Sequence, residues 1–191
     1  MRVAVFDDMN LCTPAEVERM LPLVSAQRYE QALRYKHTLG QFCCLKSWLM
    51  LQEILDEGMK ELMNEWSYNE HGKPSFTHSL IHSFTPYFSI SHCQQGIAVA
   101  IDERPIGIDI EAIRHADESL IERTMNAAER AQITDDRDFT RLWTQKEAIL
   151  KMLGTGIESF EQLQNVLLHH QEVELSTYDQ EKYIYSIAYG K

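Results

Sequence analysis

Gly107-Ile108-Asp109-Ile110-Glu111 places two carboxylates one residue apart in an otherwise apolar, β-forming run. Strand side chains alternate between faces, so Asp109 and Glu111 project together while Ile108 and Ile110 project from the other side. Two like charges that close repel unless something positive intervenes. A hard cation with oxygen ligands removes that cost, and magnesium favours a few carboxylates completed by substrate phosphate oxygens. The competing reading is a solvated edge strand that happens to carry two acids.

A second cluster, Trp143-Thr144-Gln145-Lys146-Glu147-Ala148-Ile149-Leu150-Lys151, reads as helix. There Trp143, Glu147 and Lys151 fall on one stripe, with Leu142, Ile149, Leu150 and Leu153 as the apolar side. Glu147 and Lys151 could be a surface ion pair worth under about 1 kcal/mol. A tryptophan on the same stripe argues instead for an enclosed face. A third carboxylate beside a lysine suits a phosphate site where metal and ammonium share the anion. The third cluster, Ser89-Ile90-Ser91-His92, leaves a strand with hydroxyl and imidazole groups that can contact phosphate or simply close a hairpin. No G-x-S-x-G is present to support a hydrolase triad, so His92 reads as a binder and not a base.

The rest of the composition narrows the class. The chain has 191 residues, 44% hydrophobic and 25% charged, ordinary for a globular protein able to bury a core without staples. A net charge of −11 argues against general nucleic-acid binding. It also means that positive charge for a polyanionic substrate must be gathered locally. No apolar run approaches a membrane span, and the N-terminus turns acidic at Asp7-Asp8, unlike a signal peptide. Cys12, Cys43, Cys44 and Cys93 show neither zinc nor disulfide spacing, and Cys43 and Cys44 suit burial as small hydrophobes. A cytoplasmic protein without membrane or nucleic-acid partners is expected.

The elements that must position these groups follow from periodicity and punctuation. A strand is expected over 2–6, and Thr13-Pro14-Ala15-Glu16 is a capped helix start. Helices are expected from Ser25 to Tyr35 and over 37–56, the latter core-facing through Leu39, Phe42, Cys43, Leu49, Met50 and Ile54 and stopped at Gly58. A short strand over 66–68 leads into the turn Asn69-Glu70-His71-Gly72-Lys73-Pro74. Strands follow over 88–91, 96–101 and 106–111, then helices over 118–125, 127–133 and 138–153, the last ending at Gly154. The tail reads as strands over 166–168, 173–175 and 183–189. The class is α+β, with a boundary near Asp102 dividing residues 1–102 from 103–191.

In this order, His71-Gly72-Lys73-Pro74, Phe88-Ser89-Ile90-Ser91-His92, Pro105 to Glu111, Trp143-x-x-Lys146-Glu147-Ala148-x-x-Lys151 and Gly154-Thr155-Gly156-Ile157 resemble the Sfp-type phosphopantetheinyl transferases. The resemblance implies a pseudo-dimer of two similar α+β halves, each a small antiparallel sheet packed by helices, with coenzyme A between them. It implies transfer of the 4′-phosphopantetheine arm to a serine of an apo acyl or peptidyl carrier protein, releasing adenosine 3′,5′-bisphosphate, by a chain acting as a monomer. By motif position Asp109, Glu111 and Glu147 would hold Mg2+, Lys151, Ser91 and His92 the phosphates, and Lys73 and Pro74 the adenine or ribose phosphate. Lys36, then Arg28, best match the family's basic position for the 3′-phosphate. Glu147, then Glu129, are candidate bases for the serine proton. Carrier contact is expected near Met125. Two alternatives stay open: another magnesium-dependent phosphoryl or nucleotidyl transferase, and a member that binds carriers without modifying them.

Overall fold

The computed structural model describes residues 1–77 and 85–190. Its elements are β1 (Arg2–Phe6), α1 (Pro14–Met20), α2 (Ala26–Leu33), α3 (Thr38–Ile54), β2 (Trp66–Tyr68), β3 (Pro74–Phe76), β4 (Tyr87–Cys93) and β5 (Gly96–Asp102). Then come β6 (Ile106–Ala112), α4 (Glu118–Thr124), α5 (Ala127–Arg130), α6 (Asp136–Leu153), α7 (Phe160–His169), β7 (Glu174–Asp179) and β8 (Tyr183–Tyr189). The fold is α+β, as expected.

Two three-stranded antiparallel sheets share one connectivity. The orders are β1-β5-β4 and β6-β8-β7, so each sheet runs first strand, helices, then a hairpin whose second strand pairs with the first. Helix α3 packs on β1 and β5, and α6 packs on β6 and β8. The two halves are therefore alike in path although no sequence repeat marks them.

Alternation along the central strands explains how the sheets stack. On β5, Ile97, Val99 and Ile101 enter the clusters built with α3, whereas Ala98 and Ala100 face Ile106, Ile108, Ile110, Tyr183 and Ile187 across the halves. Small side chains at those two positions let the sheets approach closely. On β6 the three isoleucines fill this shared core, which leaves Gly107, Asp109 and Glu111 facing α6.

Helix α6 starts two residues earlier than its periodicity suggests, because Asp135 caps it by accepting from the Asp138 amide. It ends at Gly154, whose φ of 77° is the left-handed cap conformation. Helix α3 is buried on almost every side, with Leu39 the exposed exception to its expected core positions. Its chain stops at Ile54 and continues as a 3₁₀ stretch over Glu57–Asn64, so Gly58 lies inside a helical turn and is not a terminator. The expected strand over 166–168 is part of α7, which Ser159 caps by accepting from the Gln162 amide. A three-residue apolar run does not distinguish strand from helix, and the cap at Ser159 upstream decides it.

Contact between α6 and β6 is closest at Gly107, where an added Cβ would lie 2.0 Å from the Ala148 carbonyl oxygen and 2.4 Å from the Met152 nitrogen. Gly107→Ala should thus lower the thermal midpoint by the equivalent of about 1–3 kcal/mol or more. Gly58→Ala meets nothing within 4 Å and should change stability by under ~0.5 kcal/mol. Equal melting temperatures for the two variants would contradict this packing.

Candidate functional site

The edges of the two sheets meet at β4 and β6, and hydroxyl groups take the place of a backbone ladder. Ser89 Oγ accepts from the Ile108 amide at 3.0 Å and Ser91 Oγ accepts from the Ile110 amide at 3.3 Å. Amides that would otherwise be orphaned at a buried edge are so satisfied. Ser91 Oγ in turn donates to Asp109 Oδ1 at 2.8 Å. Lys151 on α6 closes the arrangement, its ammonium donating to Asp109 Oδ1 at 2.6 Å and to Ser91 Oγ at 2.8 Å. Lys151 therefore pairs across to the strand, and not along its own helix with Glu147.

Two further acids, Glu147 and Glu111, act on this contact, and their environment resists ionisation. Burial raises Glu147 to about 7, Asp109 and Glu111 push the same way, and Lys151 partly opposes them. Burial also raises Glu111, followed by Asp109; Arg114, Lys151 and a hydrogen bond from Trp143 pull it back. Asp109 Oδ2 is buried without a hydrogen-bond partner. An unpartnered carboxylate oxygen beside two acids with raised pKa values is chemistry that a hard cation would relieve. The donor set of Asp109, Glu111 and Glu147 fits such an ion in kind. Among the described residues, however, no three His, Cys, Asp or Glu side chains already converge as a metal cage, and Lys151 supplies the positive charge at Asp109.

Next to the cluster lies a cleft of about 330 Å³ with one wall from each half. His71, Gly72, Lys73, Pro74, Ser89 and Ile90 form one side; Glu147, Leu150, Lys151, Gly154, Gly156 and Ile157 form the other. Four of the motifs singled out in the sequence meet here. His92 follows Ser91 on β4 and is exposed, outside the residues that line this cleft. Loss of surrounding water lowers its pKa first, and the Lys151 and Arg28 charges add to that. A neutral imidazole follows at neutral pH, able to donate and accept.

Several expected site residues have other employment. Lys73 lines the cleft, but its ammonium donates to the Met152 carbonyl at 2.9 Å and the Ile106 carbonyl at 3.3 Å, and burial lowers its pKa to about 8. Arg28, expected at the 3′-phosphate, is buried and engaged with other groups. It is 4% exposed, lies over the Trp48 and Trp66 rings, and donates to the Cys44 carbonyl, Ser47 Oγ and Gln31 Oε1. Lys36 is exposed in the connection between α2 and α3, with no described contact tying it to the cleft. Met125 is fully buried in a core with Ala116 and Phe139, so it offers no carrier surface.

Glu129 likewise does not face the acids. It completes the capping box of α5 by accepting from the Asn126 amide, and it binds Lys146 at 2.7 Å. Lys146 is wholly buried and also donates to the carbonyls of Thr124 and Leu163. Burial lowers its pKa, and Glu129 opposes that shift. Sequence reasoning missed Lys146 as a structural ion, although a lysine beside Ala148, Ile149 and Leu150 was a signal. Lys146→Met strands a buried carboxylate and should cost about 3–5 kcal/mol. The pair Lys146→Met with Glu129→Gln should recover most of that in a melting experiment. A single variant as stable as the parent would remove the ion pair from this role.

Comparison with known proteins bears on the same segments. Residues 105–189 match the sequence model of the 4′-phosphopantetheinyl transferase superfamily. The chain is 28% identical over 157 residues to the 4′-phosphopantetheinyl transferase psf-1 of Bacillus pumilus, covering 79% of this chain and 66% of that one. It is 29% identical over 143 residues to the 4′-phosphopantetheinyl transferase gsp of Aneurinibacillus migulanus, covering 70% and 57%. With the 4′-phosphopantetheinyl transferase AcpT of Salmonella typhi it shares 36% identity over 118 residues, covering 56% and 58%. The chain thus spans less than two thirds of the length of these relatives. The segment that matches the superfamily model, residues 105–189, is the one that carries Asp109, Glu111, Glu147 and Lys151.

Proposed function

We propose that this chain transfers the 4′-phosphopantetheine arm of coenzyme A to a serine hydroxyl of an acyl or peptidyl carrier protein. The observation that carries this reading is the placement of Glu147 and Lys151, from the matched segment, on the wall of a cleft completed by the other half's His71–Pro74 turn and Ser89, with Asp109 bound to Lys151 beside it. The two halves are taken as residues 1–102 and 103–191. The setting is taken as cytoplasmic, and among the described residues no helix is long and apolar enough to cross a membrane.

In this proposal Asp109, Glu111 and Glu147 hold Mg2+, which when bound would supply charge neutralisation for the pyrophosphate. Lys151 and His92 take phosphate oxygens, with Ser91 orienting the lysine, and Pro74 borders the adenine. The serine oxygen forms a bond to the β-phosphorus, the bond from that phosphorus to the bridging oxygen breaks, and adenosine 3′,5′-bisphosphate leaves. Holding those atoms in line supplies much of the acceleration in such transfers. Glu147, whose pKa rises to about 7 without metal, is the candidate to accept the serine proton, directly or through a water. Lys36 remains the candidate for the 3′-phosphate.

Incubation of apo-carrier with coenzyme A and Mg2+ should add the mass of one phosphopantetheine arm. Asp109→Ala, Glu111→Ala and Glu147→Ala should each slow that gain by on the order of 100-fold or more without unfolding the chain. Undiminished transfer in all three sinks the assignment.

A second test needs no substrate. Because Glu147 has a raised folded-state pKa, its contribution to stability is present below its unfolded pKa and lost as pH rises through about 7. Without divalent metal, Glu147→Gln should therefore melt higher than the parent at pH ~8, by at least about 2–4 °C, the shift ~1 kcal/mol produces at this size. The gap should have largely closed by pH ~4.5, the ordinary value of an unfolded glutamate and well below the folded one. A gap that is constant with pH would contradict the raised pKa.

A further inference from the structure

Asn69 carries three functions with one amide group. Its Oδ1 accepts from the His71 amide at 3.0 Å and the Lys73 amide at 2.8 Å, which ties the turn between β2 and β3 to itself. The backbone closes the same turn, with Asn69 N donating to Lys73 O and Gly72 N donating to Asn69 O. Gly72 supplies the positive φ of 82° that this turn requires. The remaining donor, Asn69 Nδ2, crosses to the other half and meets the Gly154 carbonyl at 2.8 Å.

Lys73 reaches the same place, donating to the Met152 carbonyl two residues earlier. Both acceptors are among the last carbonyls of α6, which have no partner within the helix and carry its negative end. An amide and an ammonium from the first half thus grip the end of the helix that bears Lys151. Gly154 is shaped for that grip, since an added Cβ would lie 3.2 Å from Asn69 Nδ2 and 3.3 Å from Lys73 Cδ. Turn and helix end are the two walls of the cleft at this point.

We propose that Asn69 is a positioning residue, a clamp seconded by Lys73 that fixes the spacing between the turn and the Lys151-bearing end of α6 and so sets the cleft width for the nucleotide part of coenzyme A. The clamp rests on the phosphopantetheinyl-transfer reading. It touches no reacting atom, so its removal affects substrate capture more than the chemical step. Without the crossing bond, Lys73 is left to tie the turn to the helix end, and the two walls are less firmly coupled.

Asn69→Asp isolates the crossing bond. Its carboxylate still accepts from the His71 and Lys73 amides, but an oxygen now faces the Gly154 carbonyl where a donor stood. Asn69→Ala removes both sets of contacts and serves as the broader lesion. For Asn69→Asp the expected result is a KM for coenzyme A raised by roughly tenfold, kcat within about twofold, and KM for the carrier unchanged, a difference of 1.4 kcal/mol per decade in capture alone. Amide exchange should speed up together in residues 69–74 and in the last turn of α6. A KM for coenzyme A equal to the parent's, or a parallel fall of kcat, carrier affinity and melting temperature, overturns the clamp. A parent chain that neither binds coenzyme A nor modifies a carrier overturns the functional reading itself, and the clamp's role in capture with it.

Discussion

The structure depends on a seam where two sheet edges meet without pairing. Edge strands left unpaired invite aggregation or demand cover, and here β4 and β6 cover one another through the hydroxyls of Ser89 and Ser91. Because the bridge is made by side chains, β4 must present serines on one face while Phe88 and Ile90 pack behind it. The same bridge points Ser91 at Asp109, and Asp109 at Lys151. One seam thereby joins both sheets and the principal helix of the second half at the acidic cluster.

That cluster also accounts for how an acidic chain can address a polyanion. The net charge of −11 opposes such a ligand at long range. At the cleft, Lys151 is held in place by Asp109 and Ser91 before any ligand arrives, so little side-chain freedom remains to be lost on binding. Three other cations are committed elsewhere: Lys73 to backbone carbonyls, Arg28 to a carbonyl and two indole rings, Lys146 to Glu129. Burial has different consequences in each case. Around Glu147 and Glu111 it raises the pKa of acids that repel one another, whereas around Lys146 it is offset by a partner carboxylate and two carbonyls.

Much of this was legible in the sequence because it is periodic. Alternation put Asp109 and Glu111 on one face of β6, and helical spacing put Trp143, Glu147 and Lys151 on the stripe that meets them. Cys43 and Cys44 are buried as small hydrophobes, as their setting suggested. What local pattern could not carry was long-range. Arg28 looks like a free helix cation until α3 and β2 bring Trp48 and Trp66 around it. Glu129 sits in an Asn-x-x-Glu capping pattern that pointed to structure, yet family position drew it toward chemistry. Met125 looked available because nothing nearby in the chain shows that Ala116 and Phe139 enclose it.

The central claim is that Asp109, Glu111 and Glu147 act together with Lys151 as a metal-assisted site for the pyrophosphate of coenzyme A. Calorimetric titration of the parent chain with coenzyme A, with and without Mg2+, tests it most directly. The account predicts binding that tightens at least about tenfold when Mg2+ is present, a coupling of ~1.4 kcal/mol. Binding of equal strength in the two conditions, or none in either, would contradict it.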